Sequence, residues 1–208
     1  MLEIVFIRHG ESVGNKENRF RGRHDFPLND NGLRQAHALA KALESSHFSA
    51  FYSSPLSRAS KTAQILAAGK QEIIFEEAFN NISLGPWENR SKKEIQEQHP
   101  DLWKIWTTEP EKLDFAGMET LAQVQQRSFA GLQRLVEKHD QGSIAVVTHR
   151  AVLKPLFAAM LQMRAPWFWK IQIDTAAYCI AEYTNRGFTF TVINQNRHLQ
   201  EFTREDLG

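Results

Sequence analysis

Two histidines and two arginines stand where strands or helices are expected to begin or end. Arg8-His9 follows the apolar run at residues 4–7, and His149 follows the run at 144–147. Arg58 opens an Ala-, Ile- and Leu-rich stretch at 58–67, just after a short apolar run at 50–52. If these runs are parallel strands, their carboxyl ends open into one crevice. The two imidazoles can then face each other there, with guanidinium groups around them. A neutral imidazole nitrogen is a nucleophile toward phosphorus. Arginine's planar fork matches phosphate oxygens bidentately. Taken alone, each histidine is more simply an ordinary hydrogen-bonded residue, and it is the combination at strand ends that points to phosphoryl chemistry. A zinc site on His9 and His149 lacks a third ligand at suitable spacing, so no metal and no cofactor is expected.

A second pattern competes with the first. Gly10-Glu11-Ser12-Val13-Gly14 fits the G-x-S-x-G elbow of serine hydrolases, and Asp140 and His149 follow in that order. The elbow needs earlier strands to supply an oxyanion N–H, and only eleven residues precede Ser12. Residues 15–19 also carry no apolar helical stripe. A serine acyl hydrolase is therefore the remote alternative.

The elements that must position these groups are legible from periodicity. The runs at 4–7, 50–52, 73–75 and 144–147 are of strand length. The run at 144–147 has no alternation, as expected of a strand covered on both faces. Leu33, Ala36, Ala40 and Leu43 recur at helical spacing after a capping candidate, Asn29 or Asp30. Ser91-Lys92-Lys93-Glu94 reads as a capping box. Leu121, Val124, Phe129, Leu132 and Val136 mark a long helix, and residues 152–160 another. Strands alternating with helices predict a three-layer α/β/α sandwich with a mainly parallel central sheet. A β-hairpin is expected over 178–183 and 188–193, turning at Asn185-Arg186-Gly187. Residues 79–118, with Trp87, Trp103 and Trp106, read as an inserted cap within a single domain, packed by its own aromatics; a functionless loop excursion is the plainer alternative.

Composition limits the partners. The chain has 208 residues, a net charge of +1 and one cysteine, Cys179. An internal disulfide, a zinc ribbon and an iron–sulfur centre are excluded. Near-neutral charge gives no case for nucleic acid, and no run of about 20 apolar residues predicts a membrane span. The N-terminus lacks signal-peptide features, so a cytoplasmic location is expected. The charge is nonetheless partitioned. Residues 8–23 hold five Lys or Arg against two acids, whereas residues 72–120 hold five against eleven. A basic pocket under an acidic cap suits a small phosphorylated metabolite.

Arg8-His9-Gly10-Glu11-Ser12 resembles the signature of the histidine phosphatase superfamily, the phosphoglycerate mutase-like fold. Further matches are Asn15, Arg19, Gly22, Asp25 and Gly32; then Tyr52-Ser53-Ser54, Arg58-Ala59 and Thr62-Ala63; then Leu84-Gly85 with Trp87-Glu88; and finally Val147-Thr148-His149. The resemblance implies that His9 is transiently phosphorylated. It implies that Arg8, Arg58 and His149 complete the phosphate pocket, and that Ser12, Asn15, Arg21, Gly22, Asn81 and Arg150 contact substrate. The chain is shorter than the family's mutases, so a phosphatase is expected over a mutase-type phosphotransferase. Trp167-Phe168-Trp169-Lys170-Ile171 with Asp174 resembles the tail of α-ribazole phosphatases, or else simply packs under the hairpin.

Departures from the family pattern sharpen the expectation. A glutamate acting as general acid is usual where Asn81 stands, and asparagine delivers no proton. General acid catalysis contributes about 10²- to 10⁴-fold. Either Glu119, less readily Glu77 or Glu11, supplies the proton, or the enzyme favours leaving groups that need none. A non-catalytic phosphate-ligand binder is the further alternative. Arg150 replaces a usual glycine and either crowds the pocket or adds a third guanidinium to it. If His9 attacks as neutral imidazole while His149 stays protonated, the rate is bell-shaped in pH. Oligomeric state is not encoded legibly, although the hairpin edge could support a dimer.

Overall fold

The structure is a computed structural model and describes residues 1–199. Its strands are β1 (Leu2–Arg8), β2 (Ala50–Ser53), β3 (Ile73–Phe75), β4 (Gly142–Thr148), β5 (Tyr178–Thr184) and β6 (Gly187–Gln195). They form one sheet in the order β3-β2-β4-β1-β5-β6. The pairs β1–β4, β2–β4 and β2–β3 are parallel, and β1–β5 and β5–β6 are antiparallel. The expected hairpin is thus β5–β6.

Side chains on a strand alternate between its two faces. On β1, Ile4 and Phe6 join a cluster with Val124 and Leu132 of α6 (Leu121–Lys138) and Val152 of α7 (Arg150–Met160). Val5 and Ile7 join a second cluster with Leu39 of α2 (Asp30–Ala42) and Ala59 and Ala63 of α3 (Ser57–Ala67). Helices therefore cover both faces of a mostly parallel sheet, as the alternation of elements predicts. Each such Val, Leu, Ile or Phe side chain contributes about 1.5–3 kcal/mol on burial.

Caps fix where the helices start. Asn29 Oδ1 accepts from the Gly32 N–H (2.8 Å) and opens α2. Ser91 Oγ accepts from the Glu94 N–H (3.1 Å) and opens α4 (Lys92–Gln98). Helix α3 begins after Leu56, which has no capping atom; Asp25 Oδ1 supplies it from a loop, accepting from the Ser57 N–H and hydroxyl at 2.8 Å each.

Three details differ from the sequence-based expectation. β3 is an edge strand with Phe75 exposed, because only β2 pairs with it. A one-turn helix, α1 (Val13–Lys16), follows β1, too short for any stripe to show. The aromatics of residues 79–118 do not pack only on one another. Trp87, Trp103 and Trp106 surround Phe20 (centroids at 4.9, 6.3 and 5.4 Å), and Trp106 meets Phe168 and Trp169 (5.7 and 5.5 Å). The short helices here, α4 and α5 (Pro100–Thr108), are outside the sheet and bury their apolar faces against other loops.

Candidate active site

The register of the sheet brings the two histidines together. Arg8 pairs with Thr148 across β1 and β4, so His9 and His149 each lie one residue past a neighbouring strand end. Their ring centroids are 5.0 Å apart. Ser53 pairs with Val147 across β2 and β4, which brings Ser54 to the same level. Its hydroxyl is 2.8 Å from His149 Nε2.

Both imidazoles are buried. His9 Nδ1 lies 2.6 Å from the Gly10 carbonyl oxygen. A carbonyl only accepts, so Nδ1 carries the proton and Nε2 keeps the lone pair. Burial holds the His9 pKa well below the usual histidine value, and the Arg58 and Arg8 charges lower it further against the opposing Gly10 bond. Burial also lowers His149 well below its usual value, with Arg58 and then His9 adding to the effect. The expectation of a protonated His149 is therefore corrected. Beside a cationic Arg58 and out of water, neutral imidazole is the favoured form.

These rings open onto a small cavity of about 40 Å³. Arg8, Arg19, Arg21, Lys92 and Arg150 line it, with no carboxylate among the lining residues. Phe20, Trp106 and Phe168 form an aromatic wall. Arg8 donates from Nη1 to the Ile173 carbonyl (2.8 Å), which holds the guanidinium in place. Arg58 is not among the lining residues but is fully buried nearby, and its charge acts on both imidazoles. Its Nη1 and Nη2 donate to the carbonyls of His24 (3.0 Å) and Gly22 (2.9 Å), whereas its Nε has no partner. Arg150 sits over the Trp169 ring at 5.9 Å.

Gly22 has φ of +49°, and a Cβ there would run into the Glu88 carboxylate. The turn aims its carbonyl at both Arg58 Nη2 and Asn81 Nδ2, the latter at 2.7 Å. Glycine is needed at this turn for conformation as well as for space.

Several sequence-predicted residues fall elsewhere. Glu119 does not line the cavity. Its carboxylate accepts from Arg127 Nε (2.5 Å) and Nη2 (3.0 Å), from Arg23 Nη2 (3.4 Å) and from the Ser83 N–H (3.1 Å). A carboxylate occupied as an acceptor by two arginines is a structural anchor, so its tentative role as proton donor is corrected. Glu77 accepts from Asn80 Nδ2 (2.9 Å) and Glu11 from Asn29 Nδ2 (2.6 Å), and neither lines the cavity. Ser12 Oγ donates to Asn15 Oδ1 (2.6 Å), and neither residue is in the lining. With Ser12 bonded to Asn15 and His149 to Ser54, no serine triad forms. Asp174 accepts from Asn194 and Asn196, away from the cavity, while Phe168 lines it. Arg19, Lys92 and Ser54 were missed as site residues. Lys92 lies within the capping box at residues 91–94, where a solvated charge is the default.

Among the described residues, no three His, Cys, Asp or Glu side chains cluster to hold a metal, and no helix is long and apolar enough to cross a membrane.

Comparison with known proteins gives the family. Residues 4–196 match the model of the histidine phosphatase superfamily (branch 1). Phosphoserine phosphatase 1 of Hydrogenobacter thermophilus is 32% identical over 203 residues, covering 97% of this chain and 96% of the relative. The adenosylcobalamin/alpha-ribazole phosphatase of Escherichia coli is 26% identical over 196 residues, covering 93% and 96%. The solved structure of Bacillus stearothermophilus YhfR superposes with a TM-score of 0.91 at 30% identity, covering 95% of this chain and 99% of that one. The chain belongs to the histidine phosphatase superfamily. It is a phosphoric monoester hydrolase for small phosphate esters.

Proposed function

We propose that His9 is the nucleophile and that the reaction passes through a phosphohistidine. The observation that carries this is the His9 Nδ1–Gly10 carbonyl contact at 2.6 Å, which leaves the Nε2 lone pair available in a cation-lined cavity. Nε2 forms the bond to phosphorus as the ester P–O bond breaks. The arginines neutralise the phosphoryl oxygens during transfer. The departing alkoxide takes a proton from water, because no carboxyl lines the cavity. A second water then attacks the phosphohistidine, giving inorganic phosphate and restoring His9.

The single thiol, Cys179, is buried and in no disulfide. Acid-stable detection on a denaturing gel would miss a phosphohistidine, so the test is an alkaline trap with ³²P-labelled substrate. Label is expected on the wild type and absent from His9→Ala. Equal labelling of both proteins would remove His9 from the role.

A further inference from the structure

Asn81 holds a buried acceptor with no partner in the wall of a cavity made of donors. Its side chain is 6% exposed and lines the cavity. Nδ2 donates to the Gly22 carbonyl at 2.7 Å, and Oδ1 has no hydrogen-bond partner. The amide cannot be turned round, since that would set Oδ1 against the Gly22 oxygen. The backbone is fixed as well. The Asn81 N–H donates to Asn80 Oδ1 (2.8 Å), and its carbonyl accepts from Arg23 Nε and Arg127 Nη2 (3.1 Å each). Apart from the two imidazoles, Asn81 is the one lining side chain able to accept a hydrogen bond.

We propose that Asn81 Oδ1 accepts a hydrogen bond from a hydroxyl of the substrate, carried beside the ester oxygen. The inference rests on the reading that the cavity binds the phosphoryl group. A buried acceptor without a donor is costly, and a bound ligand that supplies the donor removes that cost. A hydroxyl fits better than an ammonium, because five cationic side chains and no carboxylate line the cavity. Asn81 is then a specificity-determining contact in place of a proton donor, and the substrate class is a phosphomonoester with a vicinal hydroxyl.

Three esters test this: 2-hydroxypropyl, 2-aminopropyl and unsubstituted propyl phosphate, compared by kcat/KM from phosphate release. Wild type is expected to prefer the hydroxyl ester over propyl phosphate by about 10- to 100-fold, the factor that one unsatisfied buried acceptor costs. In Asn81→Ala, and in Asn81→Leu should alanine fold poorly, the ratio falls to about 1. A ratio near 1 in wild type, or one unchanged by either substitution, overturns the inference. Preference for the amino ester overturns the hydroxyl assignment. Phosphohistidine trapping with nitrophenyl phosphate, which has no such donor, checks the underlying reading separately.

Discussion

His149 sits beside His9 because Thr148 pairs with Arg8: the ring centroids lie 5.0 Å apart at an interplanar angle of 60°. Neither ring needs a flexible loop to reach the other. The positions follow from two adjacent parallel strands ending at the same level. Such a site is rigid, and the proposed chemistry depends on that rigidity.

Substitutions at the pair should separate their roles. His9→Ala is expected to abolish turnover, since it removes the Nε2 lone pair that the proposed step uses. His149→Ala should reduce kcat by about 10²- to 10³-fold, the range for losing one oxyanion donor. Steady-state assays on nitrophenyl phosphate read both effects. A His149→Ala enzyme with wild-type kcat contradicts its place in the pocket.

The pH profile should separate free from bound enzyme. With the His9 pKa held well below 6.5 in the free site, the acid limb of kcat/KM lies well below pH 6.5. A bound phosphate dianion opposes the arginine charges and favours the imidazolium, so the acid limb of kcat moves to higher pH. Coincident acid limbs in the two profiles would sink this account.

Stability should also depend on pH through the same two groups. The unfolded chain binds protons at histidine near pH 6.5, while the folded chain resists them to lower pH. The stabilisation is complete above that value and lost as pH falls toward the folded pKa values. Denaturant midpoints of wild type should fall between pH 7 and pH 5, and the His9→Gln/His149→Gln protein should show a smaller drop.

Leaving-group dependence should be steep. Nitrophenyl phosphate needs no proton on departure and alkyl phosphates do, while no carboxyl lines the cavity. General acid catalysis is worth about 10²- to 10⁴-fold, so alkyl esters should lag by a factor in that range. Glu119→Gln should change this ratio little, given its bonds to Arg127 and Arg23. A ratio near 1 in wild type would reveal an acid elsewhere.

Gly22→Ala tests the turn that orients Arg58 and Asn81. The positive φ and the neighbouring Glu88 carboxylate both oppose a Cβ. A loss of about 1–3 kcal/mol is expected, read as a lower thermal midpoint, together with reduced kcat/KM.

Much of this was legible because strand ends are legible. Unbroken apolar runs before Arg8-His9 and His149 placed both groups at one edge of a parallel sheet, and the motif at Tyr52-Ser53-Ser54 did the same for Arg58. What could not be read was the partner of each side chain. Glu119 looked like a spare carboxyl beside a motif, yet the residue that occupies it, Arg127, lies two helical turns further along α6 and carries no motif. Lys92 and Arg19 enter the cavity because residues 18–20 pair with residues 89–92, through an Arg19–Ser91 bridge and the Lys92 N–H donating to the Asn18 carbonyl, beside the Phe20–Trp87 contact. That packing is tertiary, and no local pattern records it.

The pairing of β1 with β4 also sets a timetable. During synthesis His9 emerges 140 residues before His149. At about 5–20 residues per second, the first strand waits roughly 7 to 28 seconds for its parallel neighbour. Until then β1 has no parallel neighbour to join, and a nascent chain carries His9, the proposed nucleophile, without its pocket. The proposed phosphoryl transfer therefore has to wait until β4 is made and paired with β1.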